Sequence, residues 1–112
     1  MEVQAITRYV RMSPWKARDL ARAIQGLPVQ DALRCVQFSE RKAARQIRKT
    51  LASAIANAQN NDDAEPESLR VREAVIDEGP VLRRYWPRAR GMVRRIRRRT
   101  CHVKIVLTDE PA

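Results

Sequence analysis

The chain has 112 residues, enough for one compact domain with a small core. Hydrophobic residues make up 44% of it and aromatic residues only 4%, so aliphatic side chains must form that core. The net charge of +10 favours a polyanionic partner, and the lack of any membrane-length apolar run or apolar signal core in the sequence favours a cytoplasmic protein.

The chain opens with a predicted strand followed by a predicted helix. Residues 3–9 contain β-branched and aromatic side chains, which is typical of a short strand. Ser13 followed by Pro14 predicts a helix start, with the Ser13 hydroxyl as the cap. The apolar face of this helix is predicted to consist of Trp15, Ala17, Leu20, Ala21 and Ile24. Gly26 and Pro28 then end the helix.

Two further helices are predicted before the middle of the chain. Residues 31–38 form the shorter one, and Ser39 is placed to cap the longer one. The apolar residues of the longer helix recur at spacings of three and four: Ala44, Ile47, Leu51, Ala54, Ile55 and Ala58. Residues 60–62 end it, and residues 62–68 form a polar loop.

The second half of the chain predicts a hairpin. Residues 69–78 and 101–107 are rich in β-forming residues, and in the latter Cys101, Val103, Ile105 and Leu107 alternate on one face. Residues 79–100 lie between these strands and form an extended basic arm with its tip near residues 86–92. The predicted fold is therefore α+β: a single domain, residues 1–112, with three helices packed on a small antiparallel sheet and a long protruding β-hairpin.

Charge is segregated along the chain. Residues 79–108 contain ten basic residues and no acidic one, whereas the remainder contains thirteen of each, so one segment carries the whole net charge. Nine of the ten are Arg: Arg83, Arg84, Arg88, Arg90, Arg94, Arg95, Arg97, Arg98 and Arg99. Arg presents a planar fork of donors that grips phosphate. A disordered basic tail is the alternative, but flanking strands and the interleaved Tyr85 and Trp86 favour an ordered arm that binds RNA.

Other basic residues give weaker signals. A cluster of four basic residues surrounds the start of the first helix, where free backbone N–H groups also attract phosphate: Arg8, Arg11, Lys16 and Arg18. A second set, on the third helix, is interpreted as a solvated face: Arg41, Lys42, Arg45, Arg48 and Lys49. His102 is the one histidine, and neither metal-ligand spacing nor a nucleophile motif is present, so we expect no enzyme, no metal and no cofactor. Cys35 and Cys101 are expected to be reduced thiols.

Five short motifs give the chain a family resemblance. They are RMSPWKAR at residues 11–18, SAIANA at 53–58, DEGP at 77–80, PRARG at 87–91 and RTCHV at 99–103. Each is weak alone, but their order and spacing resemble those of the bacterial large-subunit ribosomal protein family conventionally numbered twenty-two. The resemblance covers nearly the whole chain.

The resemblance implies a small α+β body on the outside of the large subunit and a hairpin that runs through ribosomal RNA to the peptide exit tunnel. It implies three partners: large-subunit ribosomal RNA, neighbouring ribosomal proteins and the nascent polypeptide. The implied tunnel tip comprises Trp86, Pro87, Arg88, Ala89, Arg90 and Gly91. Met92 and Val93 stand where relatives often carry more polar residues, and Cys101 stands where Ser is common.

Two other functions fit the composition. A DNA-binding nucleoid protein with a basic β-arm is the main alternative, distinguished by a preference for duplex DNA over RNA. A membrane-active basic domain would need an amphipathic helix with clustered cations, whereas this basic segment is interrupted by Pro and Gly.

Overall fold

The computed structural model describes residues 2–39, 42–87, 89–91 and 93–110. Three helices and five strands are present there, and two short 3-10 turns (Pro66–Ser68 and Ala89–Gly91) accompany them. In chain order the elements are β1 (Glu2–Val10), α1 (Pro14–Ile24), α2 (Val29–Gln37), α3 (Lys42–Asp62), β2 (Arg70–Glu78), β3 (Leu82–Pro87), β4 (Val93–Arg98) and β5 (Cys101–Thr108). The predicted α+β class, with three helices on a small antiparallel sheet, is confirmed.

The body is organised around β5, the central strand of a three-stranded sheet. β1 and β2 pair with it on either side, both antiparallel, in the order β1-β5-β2. The four alternating residues predicted to share a face, Cys101, Val103, Ile105 and Leu107, are all at most 1% exposed. They face the helices because this is the apolar side of the strand.

Both edge strands contain a bulge that changes which residues point inward. In β2, Val71 pairs with Leu107 and Glu73 with Val106, so Arg72 is the extra residue. Val71 is buried before the bulge, and Ala74 and Ile76 are buried after it. Without the extra residue the alternation would instead direct Glu73 and Val75 toward the core, because a one-residue slip exchanges the two faces.

The helices bury the predicted aliphatic residues, with three corrections. Trp15 is 54% exposed and does not join the apolar face of α1. The Ser13 side chain makes no capping hydrogen bond, although Ser13 occupies the N-cap position. α2 begins at Val29 rather than at Asp31, because Pro28 occupies its N-cap and fixes the backbone there. The predicted cap at Ser39 precedes residues 40 and 41, which lie outside the described residues.

The α3 periodicity is confirmed. Ala44, Ile47, Leu51, Ala54 and Ala58 are at most 1% exposed, and Ile55 packs against the core while partly buried. The helix ends at Asp62, as predicted.

Both cysteines are free thiols, as expected. Cys101 is buried beneath the helices, and this desolvation raises the pKa of its thiol, although the charge of Arg18 opposes the shift. The neutral thiol therefore acts as a small apolar core residue.

The arm (residues 79–100) is a hairpin divided from the body. β3 and β4 form their own two-stranded sheet, from Leu82 opposite Arg98 to Pro87 opposite Val93. Between this ladder and the last β2–β5 pair, the three residues 79–81 lie opposite the two residues 99–100, so the pairing of the two strands is interrupted there. The molecule measures 62 × 25 × 19 Å, and its radius of gyration is 17.0 Å, against about 13 Å for a compact chain of this length. No helix in the described part of the chain is long and apolar enough to cross a bilayer.

Candidate nucleic-acid interface

A groove of about 1150 Å³ lies between the helix starts and the base of the arm. Among the described residues, seven cationic side chains and one acidic one, Asp19, line it. The cations are Arg11, Lys16, Lys42, Arg84, Arg97, Arg98 and Arg99. This surface, called the basic groove below, presents the charge of the arm and that of the body to the same ligand, which must be strongly anionic.

Two helix N-termini also face the basic groove. Ser13, at the N-cap of α1, and Lys42 and Ala43, the first residues of α3, are part of its lining. Free N–H groups and the positive end of the helix dipole attract phosphate at such positions. Within the described bounds of α1 and α3, neither helix has an acidic residue in its first turn to neutralise this field.

Lys42 is a groove residue that the sequence interpretation placed on a solvated face. Its ammonium group donates a hydrogen bond to the Arg11 carbonyl at 2.9 Å, which ties the start of α3 to the segment before α1. Its position at the first turn of a helix is the signal that could have identified it. Arg45, Arg48 and Lys49 are exposed as predicted, and Arg41 lies outside the described residues.

The predicted RNA-binding residues lie in different parts of the molecule. Arg11, Lys16, Arg84, Arg97, Arg98 and Arg99 meet in the basic groove. Arg83 and Arg90 are exposed on the arm beyond it. Arg18 is half-buried, and its Nε donates to the Ile76 carbonyl at 3.2 Å, so it fixes α1 to β2. Arg94 and Arg95 are residues of strand β4. Arg88 lies outside the described residues.

The joint between body and arm (residues 79–81 and 99–100) is tightly packed around Thr100. The Thr100 hydroxyl donates to the Pro80 carbonyl at 2.5 Å, and the Gly79 N–H donates to the Thr100 carbonyl at 3.0 Å. A Cβ on Gly79 would lie 2.6 Å from the Thr100 hydroxyl oxygen, so any larger residue requires a neighbouring group to shift. Thr100 is itself 4% exposed, which leaves its side chain little freedom to move aside.

A second contact holds the arm base from the side of α1. The Arg99 guanidinium carbon lies 4.4 Å from the centre of the Trp15 ring, within cation–π range. Trp15 thus contacts the base of the arm and remains largely exposed. The base of the arm is therefore held to the body in two ways: by the hydrogen bonds around Thr100 and by the contact of Arg99 with Trp15 on α1.

The chain reverses between Pro87 and Val93, where the sequence predicted the tip. Arg90 and Gly91 have φ values of 66° and 73°, so two successive residues adopt the left-handed conformation. Glycine adopts it without steric cost, whereas Arg90 does so against its intrinsic preference. Ala89 forms part of the short turn, and the Trp86 and Pro87 backbones complete β3.

No group of three or more His, Cys, Asp or Glu residues lies close enough to hold a metal ion in the part of the chain that the structure describes. The chemistry available at the basic groove is electrostatic and hydrogen-bonding. The groove is suited to binding a phosphate backbone.

Comparison with known proteins shows similarity to one protein family over nearly the whole chain. Residues 5–108 match the family model described as Ribosomal protein L22p/L17e. The chain is 50% identical over 110 residues to Large ribosomal subunit protein uL22 of Methylacidiphilum infernorum (isolate V4), covering 98% of this chain and 96% of the relative. Proteins of the same name from Chloroflexus aggregans and Opitutus terrae are 46% and 50% identical, covering 98% and 97% of this chain and 97% and 96% of the relatives. The matched span includes both the body and the arm.

Proposed function

This chain belongs to the ribosomal protein L22p/L17e family, and on that basis we propose that it is a structural constituent of the large ribosomal subunit. It binds large-subunit ribosomal RNA through the basic groove and the arginines of the arm, and it contacts neighbouring ribosomal proteins. The family is one of ribosomal structural proteins, so the proposed role is assembly and support in the cytoplasmic ribosome rather than catalysis.

The observation that carries the RNA-binding proposal is the convergence of seven cations and two helix N-termini on one groove. Such a concentration of positive charge is unfavourable in the isolated protein, because like charges repel. A phosphate backbone lying in the groove removes that repulsion and releases the counterions it carried.

The finer part of the proposal concerns the tip. We propose, as the family resemblance implies, that residues 86–91 line the wall of the peptide exit tunnel and face the nascent polypeptide. The elongated shape of the molecule, 62 Å in its longest dimension, supports this by allowing the body to remain outside while the arm extends inward.

The first test is the sedimentation of the endogenous protein. We expect it to travel with large subunits and to stay with them through a moderate salt wash. Recovery with the nucleoid fraction, and competition by duplex DNA more strongly than by ribosomal RNA, would instead favour the DNA-binding alternative.

The second test measures how binding to a large-subunit ribosomal RNA fragment depends on salt. If about six to ten phosphates are contacted, affinity should fall by powers of ten between low and moderate salt. Replacing Arg97 and Arg98 with Gln should reduce the slope of log affinity against log salt by roughly one per lost phosphate contact.

The matched control replaces Arg45 and Arg48 with Gln. These two arginines are exposed on α3 and do not line the basic groove, yet their loss changes the net charge by the same amount. Equal slopes for the two double variants would show that total charge, and not the groove, determines binding.

A further inference from the structure

We propose that Tyr9 forms a stacking site for one unpaired RNA base at the edge of the basic groove. The inference rests on the proposed RNA binding and adds to it a contact with a base, where the groove cations contact phosphates. Three features of the described residues carry it: a strained backbone, a fixed ring and a position two residues before Arg11, a cation of the basic groove.

The backbone of Tyr9 is in the left-handed region, with φ of 58°. It lies in the β1 bulge, where the pairing passes from Thr7 opposite Val103 to Val10 opposite Cys101. This conformation is unfavourable for a bulky side chain, which clashes with its own backbone there. Strain of this kind is concentrated at binding sites, where the surrounding structure maintains it.

His102 holds Tyr9 in this conformation. The Tyr9 N–H donates a hydrogen bond to His102 Nδ1 at 3.0 Å, and the two ring centres are 5.1 Å apart with an angle of 89° between the rings. The two rings are therefore perpendicular, and the imidazole does not lie flat on the phenol ring. Tyr9 remains 63% exposed, so its ring is fixed in direction and still accessible.

The surroundings of Tyr9 favour a nucleic-acid base over other planar groups. Arg8 and Arg11 are exposed on either side of it in sequence, and Arg11 lines the basic groove. Two residues of chain span at most about 7 Å, so a phosphate bound at Arg11 brings the neighbouring nucleotide within reach of the ring. Aromatic side chains stack on unpaired bases in this way. The exposed Trp15 differs, because Arg99 already lies over its ring.

The test compares two variants that separate the ring from the backbone. Tyr9→Phe keeps the ring and removes the hydroxyl. Tyr9→Asn removes the ring but tolerates the left-handed backbone, so the bulge is retained. Each is incorporated into large subunits, and the reactivity of unpaired ribosomal RNA nucleotides toward a 2′-hydroxyl acylating reagent, which reports all four nucleotides, is mapped.

We expect one nucleotide to be protected with the wild-type protein and with Tyr9→Phe, and to become reactive with Tyr9→Asn. The purified Tyr9→Asn protein should bind a large-subunit ribosomal RNA fragment about tenfold more weakly, the effect of losing one stacked base. Tyr9→Phe should bind within about twofold of wild type, because stacking does not use the hydroxyl. Identical nucleotide reactivity in all three subunits would overturn the proposal.

A measurement on the wild-type protein covers the case in which Tyr9→Asn fails to fold or assemble. Wild-type subunits are irradiated with ultraviolet light, and the crosslinked peptides are identified by mass spectrometry. A nucleotide adduct on Tyr9 supports the stacking site, and a crosslink from this residue to a protein, or no adduct, overturns it. Absence of the wild-type protein from large subunits would refute the proposed function itself. If the protein is present in the subunits but Tyr9 carries no adduct, only the stacking site is refuted.

Discussion

Gly79 shows how a single position sets the relation between arm and body. Its N–H pairs with the Thr100 carbonyl, and the space beside its Cα is filled by the Thr100 hydroxyl. That hydroxyl donates to the Pro80 carbonyl, so it cannot turn away without breaking this hydrogen bond. The motif DEGP therefore has a steric reason for its glycine, which the sequence alone did not reveal.

Replacing Gly79 with Ala should destabilise the protein by about 1–3 kcal/mol, the usual cost of overpacking a tight site. The measurement is the free energy of unfolding from urea titration followed by circular dichroism. Thr100→Ala removes the clashing oxygen and serves as the second arm of a double-mutant cycle. In the Thr100→Ala background, Gly79→Ala should cost much less. An equal cost in both backgrounds would show that the clash with the hydroxyl is not the cause.

At the scale of elements, local patterns predicted the helices and strands well. The α3 stripe and the alternation of β5 could be predicted because burial on one face repeats along a single element. The bulges at Arg8–Tyr9 and at Arg72 could not, since they depend on which residues of β5 lie opposite. The sequence of an edge strand alone does not show how that strand pairs with a strand far away in the chain.

The same limit applies to the candidate site. The arginines of the arm were recognisable from composition, whereas the role of Lys42 depends on where the α3 N-terminus meets the segment before α1. The sequence places Trp15 on one helical face with Leu20 and Ile24, which predicts that it belongs to the apolar side of α1. Its partner, Arg99, is 84 positions away in sequence, and only the fold brings the two together.

The body should fold without the arm. None of the described residues between 77 and 99 belongs to the buried hydrophobic core, so deleting residues 83–98 and closing the gap with an Asn-Gly turn removes no core contact. We expect the helical circular dichroism signal per molecule to be retained and the urea midpoint to change little. Loss of helical signal would mean that the arm is required for the core to form.

At the scale of the whole molecule, the net charge and the hydrophobic core lie largely in different parts of the chain. The net charge of the sequence resides in residues 79–108, and the aliphatic core lies in the rest of the chain together with β5. The isolated arm is a two-stranded ribbon rich in like charges, a structure that is marginally stable in water. RNA around it therefore stabilises the arm as well as binding it, and the joint gives the arm its starting direction.

This division predicts that the tip can be moved without abolishing assembly. Deleting residues 83–85 shortens β3 alone and shifts its register against β4 by an odd number of residues, which exchanges the two faces beyond the deletion. Six groove cations remain among the described residues: Arg11, Lys16, Lys42, Arg97, Arg98 and Arg99. We therefore expect the variant to enter large subunits.

A matched variant separates tip position from strand register. Deleting residues 83–85 together with 95–97 removes three facing pairs, so the register is kept and the tip retracts by about 10 Å. If residues 86–91 line the exit tunnel near the site where macrolides bind, as the family resemblance implies, both variants should change nascent-chain pausing and macrolide sensitivity, because each displaces the tip from a narrow passage. The measurements are ribosome profiling and growth under drug in cells that carry only the variant. Normal pausing and drug response, with both variants confirmed in the subunits, would place the tip away from the nascent chain.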